Sequence, residues 1–138
     1  MMAAPLILGN DLTNMTDSVF DIITNKDVIA IDQDSLGVQG LRYLVEDGLE
    51  FWFKPLVDGR WAFTVFNRGG KDTSYKLDWQ KFNFTDDLSE RSTAFDSIVY
   101  NVHDVWGNGP KKLKTTAKGA TVDIAADDVV TFILTPAK

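Results

Sequence analysis

The chain has 138 residues, 44% of them hydrophobic and 12% aromatic, with a net charge of −6 and no cysteine. That composition describes a globular chain with a real core, clear of disorder, and excludes disulfides and thiolate metal sites. The acidic balance gives no footprint for nucleic acid or anionic membranes, and no stretch reaches the ~20 apolar residues of a membrane span.

In chain order, Ala4 to Asp11 is an apolar run too short for a helix that Pro5 and Gly9 would tolerate. Pro5–Asp11 is therefore predicted as a strand buried on both faces, as in a parallel α/β sheet. A chain that opens on such a strand is expected to be a fragment of a larger fold, a small domain with an appendage. The start, Met1-Met2-Ala3-Ala4, lacks the basic residues of a signal peptide. Thr16 or Asp17 is predicted to cap a helix carrying Val19, Phe20, Ile22 and Ile23 on one face, with Asn25 as its stop. Val28–Ile31 is ambiguous, since β-branching favours a strand while Asp27 as a cap allows a short helix. The glycines from Gly37 to Gly40 mark a hinge.

Beyond Gly40 the punctuation is that of an antiparallel sheet. Arg42–Val45 leads through Glu46-Asp47-Gly48 into Glu50–Lys54, and Asp58-Gly59 is a hairpin signal before Trp61–Asn67, which is apolar on both faces and predicted to be central. Thr73-Tyr75-Leu77-Trp79 alternates with polar residues as a half-buried strand, followed by an irregular stretch at Asp86-Asp87. Ser97–Trp106, Lys111–Thr116, Ala120–Ala125 and Val129–Thr135 are predicted strands around Gly107-Asn108-Gly109-Pro110, Lys118-Gly119 and Asp127-Asp128 turns. Short strands at this spacing describe a β-sandwich. Its core is expected to hold Phe51 or Trp52, Phe63 or Phe66, and Trp61, Leu77, Val122, Ile124, Val130 and Phe132. Lys111, Lys112, Lys114 and Lys118 read as a solvated face.

Several of these segments carry a resemblance. Ala3-Ala4-Pro5-Leu6-Ile7-Leu8-Gly9-Asn10-Asp11-Leu12 with Asn14-Met15, then Thr24-Asn25-Lys26-Asp27-Val28-Ile29-Ala30-Ile31-Asp32-Gln33-Asp34, then Leu36-Gly37-Val38-Gln39-Gly40, resemble glycoside hydrolase family 27, the α-galactosidases or melibiases. Phe66-Asn67-Arg68 and Asp104-Val105-Trp106 extend the resemblance at lower specificity. Asp32 stands where the family usually has Asn, and Ser35 where it usually has Pro. The resemblance implies a (β/α)8 barrel followed by an antiparallel, Greek-key-like β-sandwich. Residues 1–38 would be the last barrel strand and helices, with Val28–Gln33 helical, and residues 39–138 the sandwich. The partner implied is the catalytic barrel of a parent enzyme, which would act on α-galactosides in a secreted, periplasmic or lysosomal setting.

Retaining glycosidases use two carboxyl groups about 5 Å apart. The family's catalytic aspartates lie on earlier barrel strands in motifs that this sequence does not contain, so no catalytic residue is expected here. Asn10 and Asp11, at the end of the expected barrel strand, are candidates to orient sugar-pocket residues, or simply cap the following turn. Trp52, Trp61, Trp79 and Trp106 are candidates for a sugar-stacking row, or core. An exposed coplanar pair would favour an independent carbohydrate-binding module. His103, the lone histidine, supports neither a zinc site nor a triad and reads as a surface or strand-edge residue. Asn14-Met15-Thr16 and Asn83-Phe84-Thr85 fit the glycosylation pattern. Asp123–Asp128 lacks calcium-loop spacing, and no metal or cofactor is expected. The unpaired strand at residues 1–12 is expected to fold back or to pair with a second chain.

Overall fold

The computed structural model describes all 138 residues. It begins with an irregular segment and two short helices, α1 (Asp17–Ile23) and α2 (Lys26–Asp32), followed by strands β1 (Leu41–Glu46), β2 (Leu49–Pro55), β3 (Trp61–Asn67), β4 (Thr73–Leu77), β5 (Tyr100–Asp104), β6 (Ala120–Ile124) and β7 (Val129–Pro136). The strands form a five-stranded sheet in the order β1-β2-β3-β7-β5 and a two-stranded sheet of β4 and β6, with every pair antiparallel.

The hairpin chemistry works as read. Asp47 and Gly48 join β1 to β2 with φ of 53° and 78°, and Asp58 and Gly59 precede β3 with φ of 59° and 72°. Two successive left-handed residues match the right-handed twist of the flanking strands, and Asp and Gly accept that conformation at least cost. β3 is central, as expected. The same period buries Trp61, Phe63 and Val65 on its inner face and Ala62 and Thr64 on its outer one.

The inner faces of both sheets close over a core of 18 buried residues. Phe53, Phe63 and Phe82 sit at its centre, with ring centroids 4.6 to 5.5 Å apart. Every expected core residue is buried, and the two alternatives resolve to Phe51 and Phe63, which leaves Trp52 and Phe66 half-exposed on the outer face.

Four expectations are corrected. Pro5–Asp11 is not a strand, and Leu6, Ile7 and Leu8 are 57%, 87% and 54% exposed. No strand of this chain lies beside it, since the larger sheet ends at β1 and β5, so an extended ladder has no partner there. Trp79 leaves the β4 alternation because the Asp78 carboxylate accepts from the Gln80 N–H and starts a 3-10 turn, Trp79–Phe82. The strand read over Ser97–Trp106 shortens to Tyr100–Asp104, because the Asp104 carboxylate gathers the N–H groups of Trp106, Gly107 and Gly109 and turns the chain. Lys111–Thr116 is not a strand either. The Leu113 N–H bonds the Pro110 carbonyl in a turn, and only Asn101 and Thr115 bridge.

Val28–Ile31 is helical. Thr24 caps the end of α1, one residue before the expected stop, and Asn25 begins α2 by accepting from the Asp27 and Val28 N–H groups through its side chain.

Candidate functional site

The N-terminal segment meets the outer face of the large sheet in a joint that sequence reasoning did not anticipate. Ile31 of α2 is buried against Leu56, Ala62, Val105 and Ile133, with Val28 and Met1 packed beside them. Lys54, on β2, points outward but is fully buried there. Its Nζ donates to the carbonyls of Met2 at 3.3 Å and Asp32 at 3.4 Å. Burial pushes its ammonium below the ordinary lysine value, against the pull of the Asp32 and Asp34 carboxylates. Gly40 crosses above: a Cβ there would lie 3.1 Å from the Phe53 carbonyl oxygen and 3.2 Å from Lys54 Cβ, so any side chain would need its neighbours to give by a few tenths of an ångström.

Asp34 pins the linker. Its carboxylate accepts from the N–H groups of Leu36 (3.1 Å) and Val57 (3.0 Å) and faces Arg60 at 3.5 Å, with only 4% of its side chain exposed. Asn25 Nδ2 donates to the Val105 carbonyl at 3.2 Å, and His103 Nε2 lies 2.6 Å from the Asp27 carboxylate. His103 thus stands on the edge strand β5, in an exposed side-chain contact with α2.

α1 behaves differently. None of its residues is buried, and Phe20 and Ile22 are 56% and 57% exposed. Its Phe20 and Ile23 line, with Leu8, Leu12 and Met15, an open and largely apolar cavity of about 460 Å³. Asn10 and Asp11 lie in this exposed segment. Asp11 Oδ1 accepts from the Thr13 hydroxyl (2.7 Å) and N–H (2.9 Å), which hold its carboxyl below the usual range. This is a turn-capping geometry.

The four tryptophans do not form a row. Trp61 and Trp79 are core residues, 1% and 3% exposed: Arg91 stacks 5.3 Å over Trp61, and Trp79 Nε1 donates to the Lys118 carbonyl. Only Trp52, half-buried on the outer face, and Trp106, 38% exposed in the loop after β5, meet solvent. The stacking role considered for Trp61 and Trp79 is thereby withdrawn, because β3 turns Trp61 inward and the 3-10 turn after β4 buries Trp79 in the same core. Asn14 and Asn83 are exposed, and Asn83 Oδ1 accepts from the Phe95 N–H. No group of three or more His, Asp or Glu side chains is placed to hold a metal ion, and no helix is long and apolar enough to cross a membrane.

Residues 46–134 match the family described as the α-galactosidase C-terminal β-sandwich domain. The chain is 38% identical over 135 residues to α-galactosidase A of Cellvibrio japonicus, covering 98% of this chain and 33% of that protein. It is 35% identical over 133 residues to the α-galactosidase of Coffea arabica, covering 96% of this chain and 32% of that one. The crystal structure of α-galactosidase I from Mortierella vinacea superposes with a TM-score of 0.73 at 26% identity, covering 96% of this chain and 32% of that chain. The chain therefore spans about a third of the length of the curated relatives it matches.

Proposed function

This chain belongs to the α-galactosidase C-terminal β-sandwich family, and from that premise we propose that it is the non-catalytic C-terminal part of an α-galactosidase-like retaining glycoside hydrolase. Its role is to support the catalytic barrel. The observation that carries this reading is the near-complete coverage of the chain by one third of each relative, with the domain match in the sandwich. The chemistry agrees. A retaining mechanism needs two carboxyl groups about 5 Å apart, one nucleophilic and one acid/base. Asp11, the most tempting carboxylate by position, is occupied by Thr13. On this reading residues 1–38 are the last element of the barrel, and Asn10 and Asp11 shape the turn at its end rather than touch sugar.

The test is hydrolysis of a chromogenic α-galactoside by the 138-residue chain and by the longer chain encoded with its upstream sequence. The longer chain should turn over and the short one should not. Turnover by the short chain that survives repurification would overturn the proposal, as would an inactive, folded longer chain.

A further inference from the structure

Of the seven asparagines in the chain, Asn108 alone is followed by glycine; each of the others is followed by a residue with a side chain. An asparagine amide is labile because the backbone nitrogen of the next residue can displace its ammonia, and glycine, with no Cβ, obstructs that attack least. The fold requires this glycine. A Cβ at position 109 would lie 2.8 and 2.9 Å from the ring of Phe132, which is fully buried, and 3.1 Å from Asp104 Oδ2. A close-packed ring has no room to give. Packing against β7 therefore places a labile pair in the loop after β5, where Asn108 is exposed.

Two contacts restrain the reacting groups. Asn108 Nδ2 donates to the carbonyl of Val129, the first residue of β7, at 3.1 Å. The Gly109 N–H donates to Asp104 Oδ2 at 2.8 Å, while Oδ1 of the same carboxylate takes the N–H groups of Trp106 and Gly107. The amide that would be attacked and the nitrogen that would attack are tied to different partners. Closing a ring between them breaks both bonds.

We propose that Asn108 is a deamidation site of this chain, latched by Asp104 and the Val129 carbonyl, which reacts when the loop opens and then prevents the loop from reclosing in its native form. In the open loop the Gly109 nitrogen attacks Asn108 Cγ. The new N–Cγ bond forms as the Cγ–Nδ2 bond breaks, and the Gly109 N–H proton leaves with the amide as ammonia. Water then adds to either carbonyl of the cyclic imide and opens it to aspartate or isoaspartate. Neither product suits the closed loop. Aspartate sets an acceptor where a donor met the Val129 carbonyl, and it joins Asp72, Asp123 and Asp128, which line the same open cavity. Isoaspartate routes the main chain through Cγ and lengthens it by one atom, beside a Gly109 already fitted against Phe132.

The test follows every asparagine of the 138-residue chain by peptide mapping during incubation in mildly alkaline buffer, native and unfolded in guanidinium chloride. The exchange of NH2 for OH is read by mass, and isoaspartate by its separate elution. Native Asn108 should convert before any other asparagine, to both products, and about tenfold or more slowly than in the unfolded chain. Asp104→Ala removes the acceptor of the Gly109 N–H and should speed conversion of the folded protein by about tenfold. If that variant unfolds, the comparison of native and unfolded parent decides alone.

Equal rates in native and unfolded parent overturn the proposal, as does earlier conversion at another asparagine. Conversion no faster in folded Asp104→Ala than in the parent also overturns it, and slower conversion would mark Asp104 as a base for the attack. Asn108→Asp supplies one product directly and should lower the guanidinium midpoint more than Asn108→Ala, which loses only the donor. A midpoint for Asn108→Asp at or above that of Asn108→Ala overturns the block on reclosure.

Discussion

Asn67 Nδ2 donates to the carbonyl of Ile124 at 3.1 Å, joining the central strand of the large sheet to the small one. The same amide also donates to the carbonyls of Lys71 and Ala125, while its oxygen accepts from the Gly69 N–H. A single side chain, 1% exposed, thus serves four backbone groups at the turn where the two sheets meet, its two N–H donors shared among three carbonyls. Asn67→Ala leaves these groups without partners, and we expect a loss of about 2–4 kcal/mol. Asn67→Asp should be no better, since a carboxylate would face three carbonyl oxygens. A urea midpoint for either variant equal to the parent's would show that the sheets are not joined here.

Phe132 is fully buried between Phe63 and the Gly109 loop, where a Cβ on Gly109 would come within 2.9 Å of its ring. Phe132→Ala removes a large side chain from a site with little freedom to collapse, at a cost of about 3–5 kcal/mol. That is a large part of a domain's stability, so the variant should be unfolded or nearly so at 25 °C by circular dichroism. A native-like midpoint would contradict the assignment of β7 to the core.

Glu46 links β1 to the small sheet. The Tyr75 hydroxyl donates to its carboxylate, and Lys81 Nζ lies 3.1 and 3.2 Å from its two oxygens. These contacts, Tyr75 first, hold the Glu46 carboxyl below its ordinary 4.5. A carboxyl whose folded value is depressed binds fewer protons than in the unfolded chain. Its contribution is therefore present above 4.5 and lost as pH falls through the folded value. Tyr75→Phe keeps the ring and removes the donor. It should lower the urea midpoint at neutral pH, with a gap that narrows in acid; a gap constant from pH 7 down to about pH 3 would rule out the coupling.

What was legible in the residues, and what was not, follows the range of the forces involved. Asp47-Gly48 and Asp58-Gly59 announce their turns because the backbone angles they need are local. Trp61–Asn67 announces a central strand because both parities are apolar. Lys111–Thr116 misleads because its spacing suits a strand, while Pro110 and a buried Leu113 make a turn along β5 instead. Pro5–Asp11 has strand composition without a strand beside it. Lys54 is the least legible: a lysine in an apolar strand reads as an exposed position, yet its partners are carbonyls 22 and 52 residues away. Asn67 was noticed only as part of a resemblance, and its link to Ile124 spans 57 residues.

The exposed N-terminal segment carries the last expectation. Leu6, Ile7, Leu8, Leu12, Phe20 and Ile22 are all more than half exposed, and the fold-back that would have covered Leu6 to Leu8 does not occur. Contiguous apolar surface of this kind drives association, and the extended backbone of residues 5–11 offers unpaired N–H and C=O groups to a second copy. A two-fold pairing of identical segments closes on itself without growing into a fibre. We therefore expect the 138-residue chain to run as a dimer in size exclusion with light scattering. The double substitution Ile7→Glu and Phe20→Glu should return it to a monomer with an unchanged unfolding midpoint, because neither side chain belongs to the core. Deleting residues 1–12 is the poorer test, since it also removes the Met2 carbonyl from Lys54 and the Met1 carbonyl from the Gly40 N–H. In the longer chain the same surface should be covered by neighbouring barrel elements, and association through it should disappear. A 138-residue chain that stays strictly monomeric at high concentration would refute the pairing, and an unchanged dimer in the double variant would move the contact elsewhere.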